Sequence, residues 1–496
     1  MDPVRAFIGR LKEQGVRPGS DAARLRRTCS PVAGVYTSSL AEVEGATFFL
    51  ARVNDAKHLV CWGDLRAADS FQGRVDADLK ISPCTPENVA PLHALFAFTA
   101  PRPVAGERTT FGTGDRLGIA TPGHVQAVRD FDAVPVLAQQ STRELNLTGR
   151  TFSDVVAAAS WGVFQEHFTR GYGADADHVK TEGEIESALR QGATMITLDC
   201  SDHIHRQSLG AVEAAYLDRD HLIRNAAGRE YNIRFTADQL ASAAGTYGEA
   251  IQFTRRVFER YIASSGCDFE LSIDETQTPT DPTAHFFVAN ELRKAGVTVT
   301  SIAPRFSGEF HKGIDFSGDV KRFEREFELH AAVADHFGHK LSIHSGSDKF
   351  AVFPVIGRHT GGRLHHKTAG TSWLEALRVV ASADPTFFRT LHAFARETFS
   401  EAARYYHVSV RPERLASPGA MPDADLPGLL DDPEHRQLLH IAYGTILTAV
   451  AGGQPRFKPA LYGLLEKNDD FHYTYLARHI RRHLSALGVP ICRETE

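Results

Sequence analysis

No stretch of about 18 consecutive apolar residues occurs in this sequence, so nothing in it is long enough to span a membrane as a helix. Its first residues, Met1-Asp-Pro-Val-Arg-Ala-Phe7, lack the apolar core of a secretory signal. Cysteine is sparse, with six residues at 29, 61, 84, 200, 267 and 492, and no Cys-x-x-Cys pair. That argues against a disulfide framework and a thiolate zinc site, and makes the cytoplasm the expected compartment. Basic excess is missing too: 55 Lys and Arg stand against 61 Asp and Glu, a net charge of −6. A dedicated nucleic-acid or anionic-membrane binder is usually basic, so neither partner is expected. The glycine-rich loop Gly112-Thr-Gly-Asp-Arg-Leu-Gly118 is not a dinucleotide fingerprint, because its spacing is wrong and no acidic ribose contact follows. Internal repeats and low-complexity segments are absent.

What is present is the composition of a soluble globular enzyme, 42% hydrophobic and 23% charged over 496 residues. Histidine is abundant at 24, enough for an imidazole metal site. Residues 1–105 read as an α/β extension, with a helix over 4–14, strands over 46–53 and 58–62, and a helix over 89–99. The Pro/Gly-rich stretch 100–106 reads as a linker. From 106 to 383, short apolar runs that end in polar residues alternate with helical patterns. The runs cover 109–118, 133–138, 176–181, 194–198, 269–275, 297–303, 340–346 and 362–367. Helical spacing of apolar residues falls over 152–166, 182–191, 236–263, 285–295, 320–337 and 373–383. Eight strand–helix units of this size predict a (β/α)8 TIM-type barrel. An open doubly wound sheet is the alternative, but it would normally show a nucleotide loop. Residues 384–496 read as a helical extension that packs on the barrel or serves a homo-oligomer interface.

In such a barrel the active site lies at the C-terminal ends of the strands. The stretch Leu198-Asp-Cys-Ser-Asp-His-Ile-His205 runs straight from an apolar strand into carboxylates and imidazoles, which are costly to bury unless paired. In the fifth strand, Phe269, Leu271 and Ile273 share one face, and Glu270, Ser272 and Asp274 share the axial one. In the seventh, Ser342 and His344 are axial. His203, His311 and His344 are thus candidate ligands of a divalent Zn, Ni, Fe, Co or Mn ion with an open coordination position. A lone histidine is more often a hydrogen-bonded structural group, and His205, His365 and His366 are weaker candidates. Asp202 and Glu270 form the natural acid/base pair, with Asp199 and Asp274 as substitutes. The cations Arg116, Arg143, Lys180, Arg305, Lys312, Lys349 and Lys367 fall on successive loops and point to a small anionic substrate, a carboxylate rather than a phosphate. Asp115, Arg116, Gln140, Lys180 and Lys349 are the residues assigned to substrate binding.

Five motifs in order, Gly112-Thr-Gly-Asp-Arg-Leu-Gly118, Leu198-Asp-Cys-Ser-Asp-His203, Ser272-Ile-Asp-Glu-Thr276, Ile343-His-Ser-Gly-Ser-Asp-Lys349 and Lys367-Thr-Ala-Gly-Thr371, resemble the tagaturonate/fructuronate (hexuronate) epimerase family. The resemblance implies a metal-dependent barrel enzyme that interconverts D-tagaturonate and D-fructuronate. It also implies metal ligands at His203, His311 and His344 and acid/base roles for Asp202 and Glu270. The inverting carbon is β to the ketone, so simple α-proton abstraction cannot invert it. Retro-aldol cleavage through a metal-stabilised enediolate, or stepwise carboxylate-mediated proton transfer, remains open. A ketose 4-epimerase acting on tagatose and fructose, and an aldolase or isomerase on the same barrel, are the alternatives. A non-catalytic sugar sensor would have lost a ligand or base, and every position is filled.

Overall fold

In the computed structural model of the protein, eight short parallel strands close on themselves. They are β1 (Thr109–Thr113), β2 (Val134–Ser141), β3 (Gly173–Val179), β4 (Met195–Asp199), β5 (Asp268–Ile273), β6 (Ser301–Pro304), β7 (Lys340–Ile343) and β8 (Leu364–Thr368). The pairing of Leu364 with Thr109 closes the barrel. The structure describes residues 3–43, 45–205, 214–217, 219–276, 278–406 and 408–492. Strand alternation places Phe269, Leu271 and Ile273 outward among the helices, with Leu341 and Ile343 doing the same in β7. Glu270 is left facing the axis, level with Thr197 of β4 and Ser301 of β6.

Threonine caps start the surrounding helices Phe152–Gln165, Glu182–Arg190 and Ala237–Val257, each with a reciprocal capping box. Several strand bounds shift. The third strand covers Gly173–Val179, not 176–181, and the sixth shortens to Ser301–Pro304. The first ends at Thr113, and the chain then turns around Asp115 instead of continuing extended to 118.

Before the barrel, five antiparallel strands form a sheet in the order Val35–Val43, Ala46–Val53, Ala56–Gly63, Leu79–Pro83, Arg74–Asp76. Phe48 and Leu50 on one face pack with Trp161 and Phe164 of the helix Phe152–Gln165. Phe49 and Trp62 on the other face pack with Phe7 of the helix Pro3–Glu13. Beyond the barrel, the helices Pro385–Glu397, Pro433–Ile441 and Tyr443–Thr448 pack on Thr371–Ala383. The helix Asp469–Ala486 lies against Thr121–Val128 and Thr371–Ala383. The helices of the extension thus pack against helices of the barrel. Among the described residues no helix is long and apolar enough to cross a membrane.

Three fully buried imidazoles tie the outer helices together. His285 Nδ1 meets His330 Nδ1 at 3.1 Å, its Nε2 meets His339 Nε2 at 3.0 Å, and His330 Nε2 donates to the Thr280 carbonyl at 3.1 Å. One set of neutral tautomers satisfies this chain. Burial lowers the pKa of His330 to about 4 and of His339 to about 3, and that of His285 well below 6.5. Between pH 6.5 and about 4 the unfolded chain therefore binds more protons than the folded one. Their contribution to stability is whole above pH 6.5 and is lost as pH falls through that window. Urea unfolding midpoints measured from pH 7 to pH 4 will fall, starting near 6.5; a flat profile down to pH 4.5 would refute this.

Candidate active site

The centre of the barrel is organised by one ammonium. Lys367, at the end of β8, is 4% exposed and reaches Asp175 Oδ2 at 2.8 Å, Asp177 Oδ1 at 2.7 Å, Glu270 Oε1 at 2.8 Å and Thr197 Oγ1 at 2.6 Å. It is not one of a ring of cations at the mouth, as its loop-like context suggested, but the counter-ion of three buried carboxylates. Burial opposes its charge, yet Asp175, Asp177 and Glu270 outweigh this and hold its pKa well above 10.5.

Above this layer, Glu270 Oε2 accepts a hydrogen bond from Ser301 Oγ at 2.6 Å, and its Oε1 accepts one from His344 Nε2 at 2.7 Å. Burial alone would raise the pKa of Glu270, but Lys367 and His344 overcome it and hold the carboxylate well below its usual range. Glu270 is wholly buried, ionised and saturated with donors. These are poor attributes for a proton acceptor and good ones for orienting a histidine. With Nε2 donating to Glu270, the Nδ1 of His344 faces Asp274 Oδ2 at 3.2 Å.

His178 completes the group. It closes β3 with a φ of +51°, a left-handed conformation that is strained for a histidine and concentrates at functional sites. His178, Asp274 and His344 each present one ligand atom within 4.8 Å of the others. His178 Nδ1 also lies 3.4 Å from Asp199 Oδ2. Burial opposes a charged His344, but Asp274 and Glu270 on either side prevail and raise its pKa to about 10. Two imidazoles drawn towards the cationic form by converging carboxylates mark a place where positive charge is stabilised.

The cluster opens into a cavity of about 540 Å³ lined by Arg143, Glu275, Arg305, His311, Lys312 and Tyr406. It continues inward into a smaller space of about 60 Å³ that reaches Lys367, Arg116, Gln139 and His440. Lys312 donates to Ser345 Oγ at 2.6 Å, and Arg143 stacks over Tyr406 at 5.0 Å. Burial and the neighbouring Arg143 lower the pKa of Lys312.

The structure distributes the residues expected at the site unevenly. His344 is central and His311 is on the cavity wall, whereas His203 turns away in the 3-10 turn Ser201–His203 and bonds Glu249 Oε1 at 2.8 Å. His203 and His311 do not join His344 in a common ligand cluster among the described residues. Asp202 is 68% exposed, pairs with Lys180 at 3.2 Å, and does not line the cavity. Asp115 is spent on the backbone N–H groups of Leu117, Gly118 and Ala120. Arg116 reaches the inner space but is bound to Glu144 at 2.9 Å and stacked 3.7 Å over Tyr443. Gln140 leans on Glu144 at 3.4 Å, and its neighbour Gln139 faces the cavity instead. Lys349 is fully buried, donates to the carbonyls of His311, Ile314 and Ser347, and is lowered by burial to about pKa 7. It shapes the loop that carries Lys312 rather than facing the cavity. Sequence reasoning missed His178, although the rule that selected His344, a histidine at a barrel strand's end, applies to it equally.

Residues 36–487 match the sequence profile of the tagaturonate epimerase family. The chain belongs to that family. A Thermotoga maritima protein named tagaturonate/fructuronate epimerase is 40% identical over 470 residues, covering 91% of this chain and 96% of that protein. The native crystal structure of a fructuronate-tagaturonate epimerase from Cohnella laeviribosi matches at a TM-score of 0.88 and 44% identity, covering 92% of this chain and 96% of that one. A glycerol complex of the Cohnella enzyme matches at 0.89 and 42%, covering 98% and 99%. The chain is therefore an isomerase of the epimerase type, and the cavity above is its candidate active site.

Proposed function

We propose that this epimerase interconverts D-tagaturonate and D-fructuronate and depends on a divalent cation held by His178, Asp274 and His344. One observation carries the reading: a two-imidazole, one-carboxylate cluster lines the inner space together with Arg143 and Lys312. The donor set fits a divalent cation. His344 has its tautomer set by Glu270, which turns its Nδ1 towards Asp274 Oδ2 at 3.2 Å. Two nitrogens and one oxygen suit Zn, Fe, Co, Ni or Mn and leave coordination positions for substrate. When bound, such a cation supplies Lewis-acid polarisation of the sugar's oxygens and offsets negative charge as it develops.

The chain's own groups do the rest. Arg143 and Lys312 receive the hexuronate carboxylate and set the orientation of the carbon chain. Glu275 lines both compartments and replaces Asp202 and Glu270 as the acid/base carboxylate. It removes the hydroxyl proton at the inverting carbon. The bond to the ketone-side neighbour then breaks, the aldehyde half rotates, and the bond re-forms on the other face. Glu275 returns the proton, so no co-reactant is consumed. Tyr405 and Tyr406 line the cavity, and their rings limit access of water to the separated halves.

Conversion of each hexuronate into the other, followed by NMR with and without added metals, tests the reading. Absence of conversion with all five metals would overturn it. Changing both Arg143 and Lys312 to Met is expected to lower kcat/KM for tagaturonate by about 100-fold, the size of a lost charge-assisted contact. Turnover of neutral tagatose, measured in parallel, should change by less than about threefold. Equal losses on both sugars would remove the carboxylate from this position.

A further inference from the structure

Two residues of the inner space, Tyr406 and His440, come from outside the barrel and its loops. His440, on the helix Pro433–Ile441, lies there with His178, Asp274 and Lys312. It is 1% exposed, and its placement is over-determined. A Cβ on Gly370, in the loop after β8, would stand 1.8 Å from His440 Nε2. One on Gly313, in the loop after β6, would stand 3.3 Å from His440 Cβ. The His440 carbonyl accepts from Arg116 at 3.0 Å. One turn earlier, Arg436 donates to the Gly313 carbonyl at 2.7 Å and to Asp348 at 2.5 Å.

The imidazole so carefully held has a polar atom left over. Its Nδ1 has no hydrogen-bond partner among the described residues. A buried, unsatisfied polar group costs free energy, and in a cavity a ligand can offset that cost. Burial, with Arg116, Lys312, Arg436 and Lys349 around it, holds the ring well below its usual pKa and hence neutral. A neutral imidazole offers one donor and one acceptor, the same pair that a hydroxyl offers in return. The carboxylate of the substrate has no use for that acceptor and is served by the cations.

We propose that His440 is a substrate-binding residue whose imidazole hydrogen-bonds a hydroxyl of the sugar in the inner space, so that the helical extension completes the active site. This rests on the sugar-epimerase reading above and adds a contact from beyond the barrel.

His440→Leu and His440→Gln test it in the full-length, metal-loaded protein. The Leu variant should unfold at the wild-type temperature and raise KM for tagaturonate about tenfold, the loss of one hydrogen bond with its partner left unpaired. The Gln variant, which keeps a donor and an acceptor, should recover most of the loss. A Leu variant with wild-type KM and kcat would overturn the proposal. The imidazole ¹⁵N signals of the wild-type protein give a readout that does not depend on how the variants fold. The His440 signal, assigned with His440→Gln, should move on titration with tagaturonate; a signal that stays fixed at saturating sugar would refute the contact. If the wild-type protein converts no hexuronate, the functional reading fails separately. Titration with glycerol, a minimal polyol, then decides His440 alone: a moving signal supports hydroxyl recognition and a fixed one overturns it.

Discussion

Replacing His344 with Ala is expected to abolish binding of the proposed divalent cation and to lower kcat/KM by roughly a thousandfold or more, the several kcal/mol that a Lewis acid contributes to a charged transition state. His344 stands where three features meet: the Glu270 hydrogen bond at 2.7 Å, the Asp274 contact at 3.2 Å and the cavity wall. Glu270→Gln should behave differently. It keeps the shape but weakens the orientation of the imidazole, and a loss of about 10- to 100-fold in metal affinity is expected. Metal titrations of both variants, with activity measured at each point, check the order. If Glu270→Gln binds metal like the wild type but is inactive, Glu270 is the acid/base group after all, and its role as a positioning residue fails.

Replacing Lys367 with Met destabilises the fold by about 3–5 kcal/mol, the cost of removing one partner from a buried ionic cluster. Asp175, Asp177 and Glu270 would share the barrel axis with no counter-ion, and at neutral pH at least one would have to take up a proton. Two of these carboxylates also approach the site, Glu270 through His344 and Asp177 next to His178. Activity should therefore fall along with stability. Chemical denaturation at pH 7 and pH 5.5 gives the test. The deficit should shrink at the lower pH, where protonation relieves the repulsion. A variant as stable as the wild type would show that the cluster contributes no net stability.

The barrel was legible because its strands follow a simple alternation. Phe269, Leu271 and Ile273 face the helices while Glu270 faces the axis, and the same parity turns Ser342 of β7, and His344 just past its end, towards the axis. The third strand obeys that rule but hides it. Asp175 and Asp177 point to the axis because Lys367, far along the chain in β8, neutralises them, and a single sequence does not display that pairing. Read by itself, Gly173–Val179 is too polar for a core strand, so the pattern starts the strand late, at 176, and gives His178 inside it no role at the axis. Asp274 was recognised only as a substitute. Asp202 and His203 carry the right chemistry at a strand's end, but a 3-10 turn directs them to Lys180 and Glu249 instead of the axis. Backbone direction after a strand is set by packing, here against the helix Ala237–Val257, and residue type does not record it. His440 lies well beyond the eighth strand, in a stretch whose only visible signal is helical periodicity. The glycines at 313 and 370 that admit it are recognisable only once the loops are brought together.

The account stands on a cation held by His178, Asp274 and His344. The most direct measurement is metal content set against turnover in one preparation. The purified protein is analysed for bound divalent metal, stripped with a chelator, assayed on D-tagaturonate by NMR, and then titrated with Zn, Mn, Co, Ni and Fe. The account predicts about one ion per chain at full activity, no turnover after stripping, and recovery in proportion to the metal restored. Undiminished epimerisation by protein shown to be free of metal would contradict it.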